Sequence, residues 1–224
     1  MIVAIDGPAG TGKGTIASLI SKRLGYTYID TGAMYRCITL KMLRKGIEIE
    51  DLSKIKKLLE KTKIEFMTIN DKQHVFLDDE DVTDEIRTQK VNEFVSPVSA
   101  IKEIRIKLVQ MQRELGSVSN VVMEGRDITT VVFPDADIKI YLTATAGERA
   151  ERRYKEFIEK GIETTYEETL ASIVKRDEND MNKEMGALKI AEDAVVIDST
   201  FLTIEEVYDK VHELITNKEL EEEE

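Results

Sequence analysis

GPAGTGKGT, residues 7–15, directly follows the apolar run 2–5 and opens a helix-like segment that ends at Gly25. The motif satisfies the pattern G-x-x-x-x-G-K, in which glycines let successive backbone N–H groups turn toward phosphate oxygens. The helix N-terminus adds the positive end of its dipole, and Lys13 adds a full charge. Strand, loop and helix in this order predict a site for the phosphates of a nucleotide on Gly7, Pro8, Ala9, Gly10, Thr11, Gly12, Lys13, Gly14 and Thr15.

The residue after the loop lysine departs from the usual pattern. Most loops of this kind place Ser or Thr there, where the hydroxyl binds Mg²⁺, whereas this chain has Gly14 followed by Thr15. We expect the Thr15 hydroxyl to reach a phosphate oxygen. Mg²⁺ is then expected to be held by phosphate oxygens and water, with carboxylates nearby but without a direct protein ligand.

Short apolar runs alternate with helix-like segments over much of the chain. Strands are expected at residues 2–5, 26–29, 121–123, 138–142 and 195–197. Apolar runs separated by helices are typical of a parallel sheet with both faces covered. The sequence therefore predicts an α/β fold.

The starts of several helices are marked by capping signals. Three threonines are each followed three residues later by glutamate, which is the spacing of a capping box: Thr145, Thr165 and Thr203. Ser96 followed by Pro97 is a different signal, an N-cap serine before proline at the first helical position. We expect that helix to run to about residue 115 and to end at Gly116.

Residues 64–82 break the alternation. They contain two or three short strands with turns at 70–71 and 78–79, and sequential strands this close pair antiparallel. We interpret them as a small insertion outside the parallel sheet. The helical segment 148–180 is longer than a simple crossover needs and is a second candidate for a separate mobile unit.

The charge and composition of the chain restrict its partners. The 224 residues carry 32 Lys and Arg against 44 Asp and Glu, a formal net charge of −12. An acidic chain lacks the electrostatic footprint for duplex nucleic acid or an anionic membrane, so we expect neither as a partner. No segment approaches the roughly eighteen uninterrupted apolar residues of a membrane span. The single Cys37 and the lack of a signal-peptide pattern fit a cytoplasmic location.

Four further motifs combine arginine with acidic or polar residues: DTGAMYR at 30–36, EIRTQ at 85–89, EGRDITTVVFPDA at 124–136 and RDENDMN at 176–182. Together with the phosphate loop, they resemble the motifs of bacterial cytidylate kinases, a family of nucleoside monophosphate kinases. The loop alone indicates only an NTPase, whereas the arginine motifs in combination are specific. The resemblance extends from Ile2 to about Leu214.

The resemblance implies a reaction and a layout. The reaction is ATP + CMP or dCMP ⇌ ADP + CDP or dCDP, with MgATP on the phosphate loop and its adenine near residues 198–202. The fold is a P-loop three-layer core with a five-stranded parallel sheet, a CMP-binding domain with antiparallel strands, and a short helical lid. On this pattern we divide the chain into a core (1–35, 102–148 and 184–218), a CMP-binding domain (36–101), a lid (149–183) and an acidic tail (219–224).

Transfer between two phosphates brings polyanions together, so several arginines are expected rather than a strong general base. Arg126 follows an apolar strand, and ligands of open α/β sheets lie at such strand ends. By resemblance, Arg126 holds the CMP phosphate with Arg36, and Asp127 contacts the cytosine. The full set of residues that the resemblance assigns to CMP is Thr31, Tyr35, Arg36, Arg87, Ser96, Arg105, Arg126, Asp127 and Asp180.

Local structural roles remain open for several of these residues. Arg126 is also compatible with an ion pair that closes the strand end, and Arg87 with a surface pair to Asp84 or Glu85. Ser96 is explained equally well by helix capping, and Tyr35 by core packing.

The resemblance assigns catalysis to Lys13, Arg126, Arg149, Arg153 and Arg176. Arg149 and Arg153 form a like-charge i,i+4 pair on a helix, which costs about 0.2–0.5 kcal/mol and which a phosphate between them would relieve. Arg152 is expected to form a ladder with Glu148 and Glu156. These features predict a lid that closes over the nucleotide phosphates.

The last motif leaves two points open. Arg176 is assigned to the transferring phosphoryl group, but pairing with Asp180 one turn later is an alternative. Lys183 stands where the family pattern usually has another arginine, and lysine lacks the fork geometry of a guanidinium.

Two other functions are considered. A kinase for UMP, AMP or a small-metabolite hydroxyl would use the same loop, and Asp127 would serve as a base for a hydroxyl, but the arginines are too many for a neutral acceptor. A nucleotide-dependent switch would need a water-positioning group, and no N-K-x-D motif for guanine occurs. We therefore expect a monomeric transferase whose partners are ATP, CMP and dCMP.

Overall fold

The computed structural model describes residues 1–70 and 72–223 of the chain. Asp71, which the sequence places in a turn, and Glu224 of the acidic tail lie outside the described residues. The strands are β1 (Ile2–Asp6), β2 (Thr27–Asp30), β3 (Ile64–Ile69), β4 (Lys72–Leu77), β5 (Glu80–Asp81), β6 (Val121–Gly125), β7 (Ile138–Thr143) and β8 (Val195–Asp198). The α-helices are α1 (Lys13–Leu24), α2 (Thr31–Lys45), α3 (Leu52–Glu60), α4 (Gln89–Val98), α5 (Lys102–Gly116), α6 (Ala146–Glu159), α7 (Tyr166–Met181) and α8 (Ile204–Glu223).

Five strands form one sheet in the order β2-β6-β1-β7-β8. β1 pairs in parallel with β6 and with β7, and β7 pairs in parallel with β8. The phosphate loop follows β1, the Arg126 segment follows β6, and residues 199–202 follow β8, so these segments leave the same edge of the sheet. The predicted α/β fold with a five-stranded parallel sheet is confirmed.

The core beside the phosphate loop is built from apolar strands and two helices. Side chains of β1, β7 and β8 pack with those of α1 and α8, and Ile5, Ile20 and Ile140 are fully buried. Burying one such side chain stabilises the fold by about 1.5–3 kcal/mol. The loop is thus held between two buried elements, β1 and α1.

The predicted capping signals are confirmed at all three threonines. The hydroxyls of Thr145, Thr165 and Thr203 each accept a hydrogen bond from the backbone N–H three residues later. At Thr165 and Thr203 the glutamate carboxylate also accepts from the backbone N–H of the threonine, which completes the box. Each cap satisfies N–H groups that a helix start leaves open.

The predicted helix start at Ser96 is wrong. Ser96 and Pro97 lie in the last turn of α4, which begins at Gln89, and the next helix begins at Lys102. α4 starts early because Val91, Val95 and Val98 form a buried apolar stripe at helical spacing. Proline so close to the end of a helix removes few backbone hydrogen bonds, so packing outweighs the local signal. The predicted end of α5 at Gly116 is confirmed.

Residues 64–82 form the predicted antiparallel insertion, a three-stranded sheet in the order β3-β4-β5. Asp78 and Asp79 have positive φ values of 51° and 69° in the turn between β4 and β5. The buried Lys41 of α2 ties this turn to the end of α3: its ammonium forms an ion pair with Asp78 at 2.5 Å and donates to the Lys61 carbonyl at 2.9 Å.

The chain divides into two compact units, residues 1–28 with 119–224, and residues 29–118. The first unit contains the phosphate loop and the helices α6 and α7; the second contains the small antiparallel sheet. The finer division into core, CMP-binding domain, lid and tail stays a prediction. Within the described residues, no helix is both long and apolar enough to cross a lipid bilayer.

Candidate active site

The phosphate loop is shaped by glycines in backbone conformations that favour this residue. Gly10 and Gly12 have φ values of 81° and 93°, which L-residues rarely adopt. A Cβ on Gly7 would lie 2.0 Å from the Leu142 carbonyl oxygen of β7. The backbone therefore curls as the sequence predicts, close against the neighbouring strand.

Lys13 is buried in this loop, and its ammonium donates to the Pro8 carbonyl at 2.8 Å. Burial and the charge of Arg126 lower the pKa of Lys13 to about 7, although Glu124 and Asp6 act in the opposite direction. The charge of Arg176 also lowers this pKa, so the half-buried Arg176 is close enough to act on the loop. The cluster of cations makes a ready site for a polyanion.

The unusual Gly14 has a structural reason. A Cβ at this position would lie 2.8 Å from Glu124 Oε1 and 3.1 Å from the Tyr28 hydroxyl. That hydroxyl donates to Glu124 Oε1 at 2.8 Å, so a Ser or Thr side chain at position 14 would have to displace the Glu124 carboxylate. Sequence reasoning missed Glu124 as a site residue, although its place at the end of an apolar strand before Arg126 was a usable signal.

Arg126 and Asp180 are brought together by the fold. Arg126 Nε donates to Asp180 Oδ2 at 2.8 Å, and the Lys183 ammonium donates to Asp180 Oδ1 at 2.8 Å. Burial would raise the pKa of Asp180, but the charges of Arg126 and Lys183 outweigh burial and hold the pKa at about 2. A lysine at position 183 therefore still reaches the aspartate of the same motif.

Asp6 at the end of β1 is a second residue that sequence reasoning missed. It is fully buried and accepts from the backbone N–H groups of Ile128 and Thr129 at 3.0 and 2.7 Å, and from the Thr129 hydroxyl at 2.7 Å. These bonds fix the backbone directly after the buried Asp127. Burial raises the pKa of Asp6 to about 6, and the three hydrogen bonds offset this only in part.

Arg149 and Arg153 do not share a partner. The guanidinium of Arg149 is buried and donates to Asp177 Oδ2 at 2.6 Å and to the Ala9 carbonyl of the phosphate loop at 3.0 Å. Arg153 pairs with Glu156 at 2.8 Å and lies over the Phe157 ring. Separate carboxylates thus relieve the like-charge repulsion, and Arg149 braces the loop from α6.

A cavity of about 490 Å³ adjoins the phosphate loop in the first unit. Gly10, Thr11, Gly12 and Thr15 line one side; Arg152, Arg153, Ser199, Leu202 and Val207 are among the residues that line the rest. The expected pairing of Arg152 with Glu148 is present at 3.0 Å, while Glu156 pairs with Arg153 and Lys160. A cavity lined by the phosphate loop, by charged side chains and by apolar side chains such as Leu202 and Val207 suits a nucleotide.

The second unit contains the remaining residues assigned to CMP. Asp30 caps α2 by accepting from the Ala33 N–H at 2.9 Å, and Arg87 lies 3.6 Å from the other oxygen of Asp30. Arg36 Nε donates to Asn92 Oδ1 at 3.4 Å. Thr31 is buried at the start of α2.

Arg105 and Tyr35 form a packed pair in this unit. Arg105 is buried, lies over the Tyr35 ring at 5.5 Å and donates to the Ser99 carbonyl at 3.1 Å. Ser96 is half-buried within α4. Burial raises the pKa of the nearby Cys37 thiol to about 12, which marks this cysteine as a packing residue.

Comparison with known proteins supports one family. The family model described as cytidylate kinase matches residues 3–217. A cytidylate kinase of Caldicellulosiruptor saccharolyticus is 54% identical over 212 residues, covering 95% of this chain and 94% of the relative. A cytidylate kinase of Carboxydothermus hydrogenoformans is 49% identical over 218 residues, covering 97% and 98%.

A solved structure shares the fold. The crystal structure of an uncharacterized protein from Eubacterium ventriosum superposes with a TM-score of 0.52 at 12% identity, over 97% of this chain and 98% of that chain. At this identity the likeness concerns the fold alone. The family model matches almost the whole sequence, and this match agrees with the phosphate loop, the arginines and the cavity described above. Together with the identity of the relatives, it shows that the chain belongs to the cytidylate kinase family.

Proposed function

We propose that the protein transfers the γ-phosphoryl group of ATP to CMP and dCMP. The observation that carries this proposal is the buried Lys13 in a glycine loop, within electrostatic range of Arg126 and Arg176. Phosphoryl transfer needs positioning and charge stabilisation more than proton transfer. Family membership supports CMP as the acceptor and disfavours the other acceptors and the switch function.

ATP is proposed to bind the phosphate loop, Gly7 to Thr15, with its base in the adjoining cavity. Loop N–H groups and the Lys13 ammonium bind the phosphates. Ser199 and Leu202 line the cavity, in agreement with the adenine position proposed near residues 198–202.

CMP is proposed to bind the residues that the family resemblance assigns to it. Arg126 binds its phosphate, Asp127 its base and Asp180 its ribose. The other proposed contacts are Thr31, Tyr35, Arg36, Arg87, Ser96 and Arg105. Arg126 then exchanges part of its pairing with Asp180 for the acceptor phosphate, and a guanidinium suits that phosphate because it bonds in a bidentate manner.

The helices α6 and α7 are proposed to act as a lid. Arg149, Arg153 and Arg176 would stabilise the charge of the transferring group, with Lys13 and Arg126. Lid closure would exclude water, which is a competing acceptor that wastes ATP. Arg149 already contacts the loop through the Ala9 carbonyl, so its role includes holding the loop in shape.

Mg²⁺ is proposed as the metal that accompanies ATP, and the donor set near the loop fits it. Both oxygens of Asp6 already accept backbone hydrogen bonds, whereas the half-buried Glu124 lies beside Gly14, where other loops place a metal-binding hydroxyl. Glu124 would hold the water shell of the ion. When bound, Mg²⁺ neutralises charge on the phosphates.

The remaining proposals concern the surroundings of the reaction. We propose a cytoplasmic monomer that binds neither nucleic acid nor membrane. The net charge of −12 supports the exclusion of duplex nucleic acid and anionic membranes as partners.

One assay tests the function. ADP release is measured with MgATP and CMP, dCMP, UMP, AMP, GMP or no acceptor. We expect fast ADP formation only with CMP and dCMP. Equal rates without acceptor would identify an NTPase, and a preference for another acceptor would overturn the assignment of the base-reading residues.

A further inference from the structure

The segment after β8, residues 199–202, forms a wall of the cavity beside the phosphate loop through Ser199 and Leu202. Backbone bonds hold part of this turn: the Ser199 N–H donates to the Thr143 carbonyl at 2.8 Å, and the Leu202 N–H donates to the Ser199 carbonyl at 3.4 Å. Side chains of other elements add further bonds. Arg152 of α6 does so: one terminal nitrogen donates to the Ser199 carbonyl at 2.6 Å and the Thr200 carbonyl at 3.4 Å, and the other to the Ser199 hydroxyl at 3.3 Å. Nε of Arg152 is fixed in turn by Glu148 at 3.0 Å.

The contact continues from the wall to the phosphate loop. The Ser199 hydroxyl lies 3.3 Å from the Thr11 carbonyl and 3.1 Å from the Thr143 carbonyl. Ser199 is 2% exposed, so these bonds are not replaced by water. The single hydroxyl hydrogen of Ser199 is shared between these two carbonyls, so Ser199 links Arg152 to both the phosphate loop at Thr11 and the end of β7 at Thr143.

We propose that Arg152 is a positioning residue for the phosphate donor. It holds the 199–202 wall at a set distance from the phosphate loop. The base of ATP can then contact the wall while its phosphates bind the loop. This inference rests on the proposed binding of ATP in the cavity. The planar fork matters because its two terminal nitrogens reach three acceptors at once, which the single ammonium of lysine does not reproduce.

The test compares Arg152→Met and Arg152→Lys with wild type by calorimetry, using MgATP and inorganic tripolyphosphate without acceptor. We expect Arg152→Met to weaken ATP binding about tenfold, the size of effect expected for hydrogen bonds to a charged group. Arg152→Lys should lie between. Tripolyphosphate affinity should change less than about twofold, because the probe lacks the base that the wall contacts.

Steady-state kinetics give the second readout. Arg152→Met should raise the KM for ATP about tenfold and leave the KM for CMP within about twofold, as a loss confined to donor binding requires. The matched control is Lys155→Met, which removes an exposed cation paired with Glu151 on the same helix. It should behave as wild type.

Ser199→Ala keeps the proposal testable if Arg152→Met folds poorly. It should weaken ATP binding in the same direction, and the double variant should show less than the sum of the two effects. Unchanged ATP affinity in Arg152→Met overturns the proposal, and so does an equal loss of ATP and tripolyphosphate, which would mean direct phosphate contact. If the wild type binds ATP but does not phosphorylate CMP, the proposed function is wrong. The ATP and tripolyphosphate affinities of the variants then still decide the role of Arg152.

Discussion

Lys13 and Asp6 show how burial changes the chemistry of single residues in this protein. Lys13 is buried among cations, and its pKa falls to about 7. Asp6 is buried without a direct ion pair among its hydrogen-bond partners, and its pKa rises to about 6. In both cases the charged form is disfavoured by loss of water. A polyanionic ligand reverses this for Lys13, because it supplies the missing counter-charge.

We expect ATP binding at pH 8 to be accompanied by proton uptake at Lys13. At this pH most Lys13 in the free protein is neutral, since its pKa is about 7, and the bound phosphates raise the pKa again. The uptake should vanish toward pH 6, where Lys13 is already charged. Calorimetry in buffers of different ionisation enthalpy measures it. Lys13→Arg, which stays charged, is the control; equal uptake in that variant would place the proton elsewhere.

We expect Arg126→Ala to raise the KM for CMP and to lower kcat. The guanidinium is the proposed partner of the acceptor phosphate, and its loss also leaves the buried Asp180 with Lys183 alone. The combined loss should reduce kcat/KM for CMP by about a hundredfold or more, since charge-assisted bonds are involved. Arg44→Ala, far from this cluster in sequence and paired with Glu80, is the control. An unchanged response to CMP would remove Arg126 from the acceptor site.

At the scale of secondary-structure elements, buried charged side chains join different helices and strands. α6 and α7 are joined by the Arg149–Asp177 pair, and α7 is tied to the end of β6 by Asp180 and Arg126. In the second unit, Lys41 joins α2 to the end of α3 and to the turn after β4. Breaking such a pair leaves one polar group buried without its partner, which costs more than the pair itself contributes.

We expect Lys41→Met to destabilise the protein by about 1–3 kcal/mol. The methionine fills similar space, but the Lys61 carbonyl and the Thr62 hydroxyl lose their donor and Asp78 loses its counter-charge. Asp78 is 40% exposed, which limits the loss. Urea unfolding followed by circular dichroism measures the change. Lys57→Met, an exposed lysine of α3, should stay within about 0.5 kcal/mol; a similar loss there would argue against the buried tie.

At the scale of the whole molecule, the net charge of the chain is opposite in sign to the cations of the candidate site. The net charge is −12, yet the cations Lys13, Arg126 and Arg149 are buried or half-buried in the first unit. The last helix, α8, extends through the acidic end of the chain to Glu223. Within it, the Glu219 carboxylate accepts a hydrogen bond from the Tyr26 hydroxyl at 3.2 Å. Nucleotide phosphates are therefore attracted by local groups, while the surface repels larger polyanions.

We expect no binding of duplex DNA at physiological salt, even at micromolar protein. Long-range repulsion by the net negative charge opposes the approach of a duplex. Fluorescence anisotropy of a labelled duplex measures this, with ATP binding under the same conditions as the positive control. Salt-sensitive DNA binding would mean that a basic surface patch outweighs the net charge.

Short-range patterns already specify much of this protein. The glycine loop, the threonine caps and the antiparallel strands of residues 64–82 all agree with the structure, because each depends on backbone conformations set by neighbouring residues. The arginine motifs named the family without any contact being known. The prediction of a helix start at Ser96 was wrong because the local Ser-Pro signal competes with an apolar stripe. That stripe stabilises α4 only when it packs in the folded protein.

Contacts between residues that are distant in sequence became known only from the tertiary structure. The Glu124 carboxylate and the Tyr28 hydroxyl meet beside Gly14, and Asp6 fixes the backbone at Ile128 and Thr129. No spacing rule gives such pairs, since the partners are far apart in sequence and are brought together by the order of strands in the sheet. The sequence thus specified the elements and the chemistry of the site, while packing chose which charges pair and which positions leave no room for a side chain.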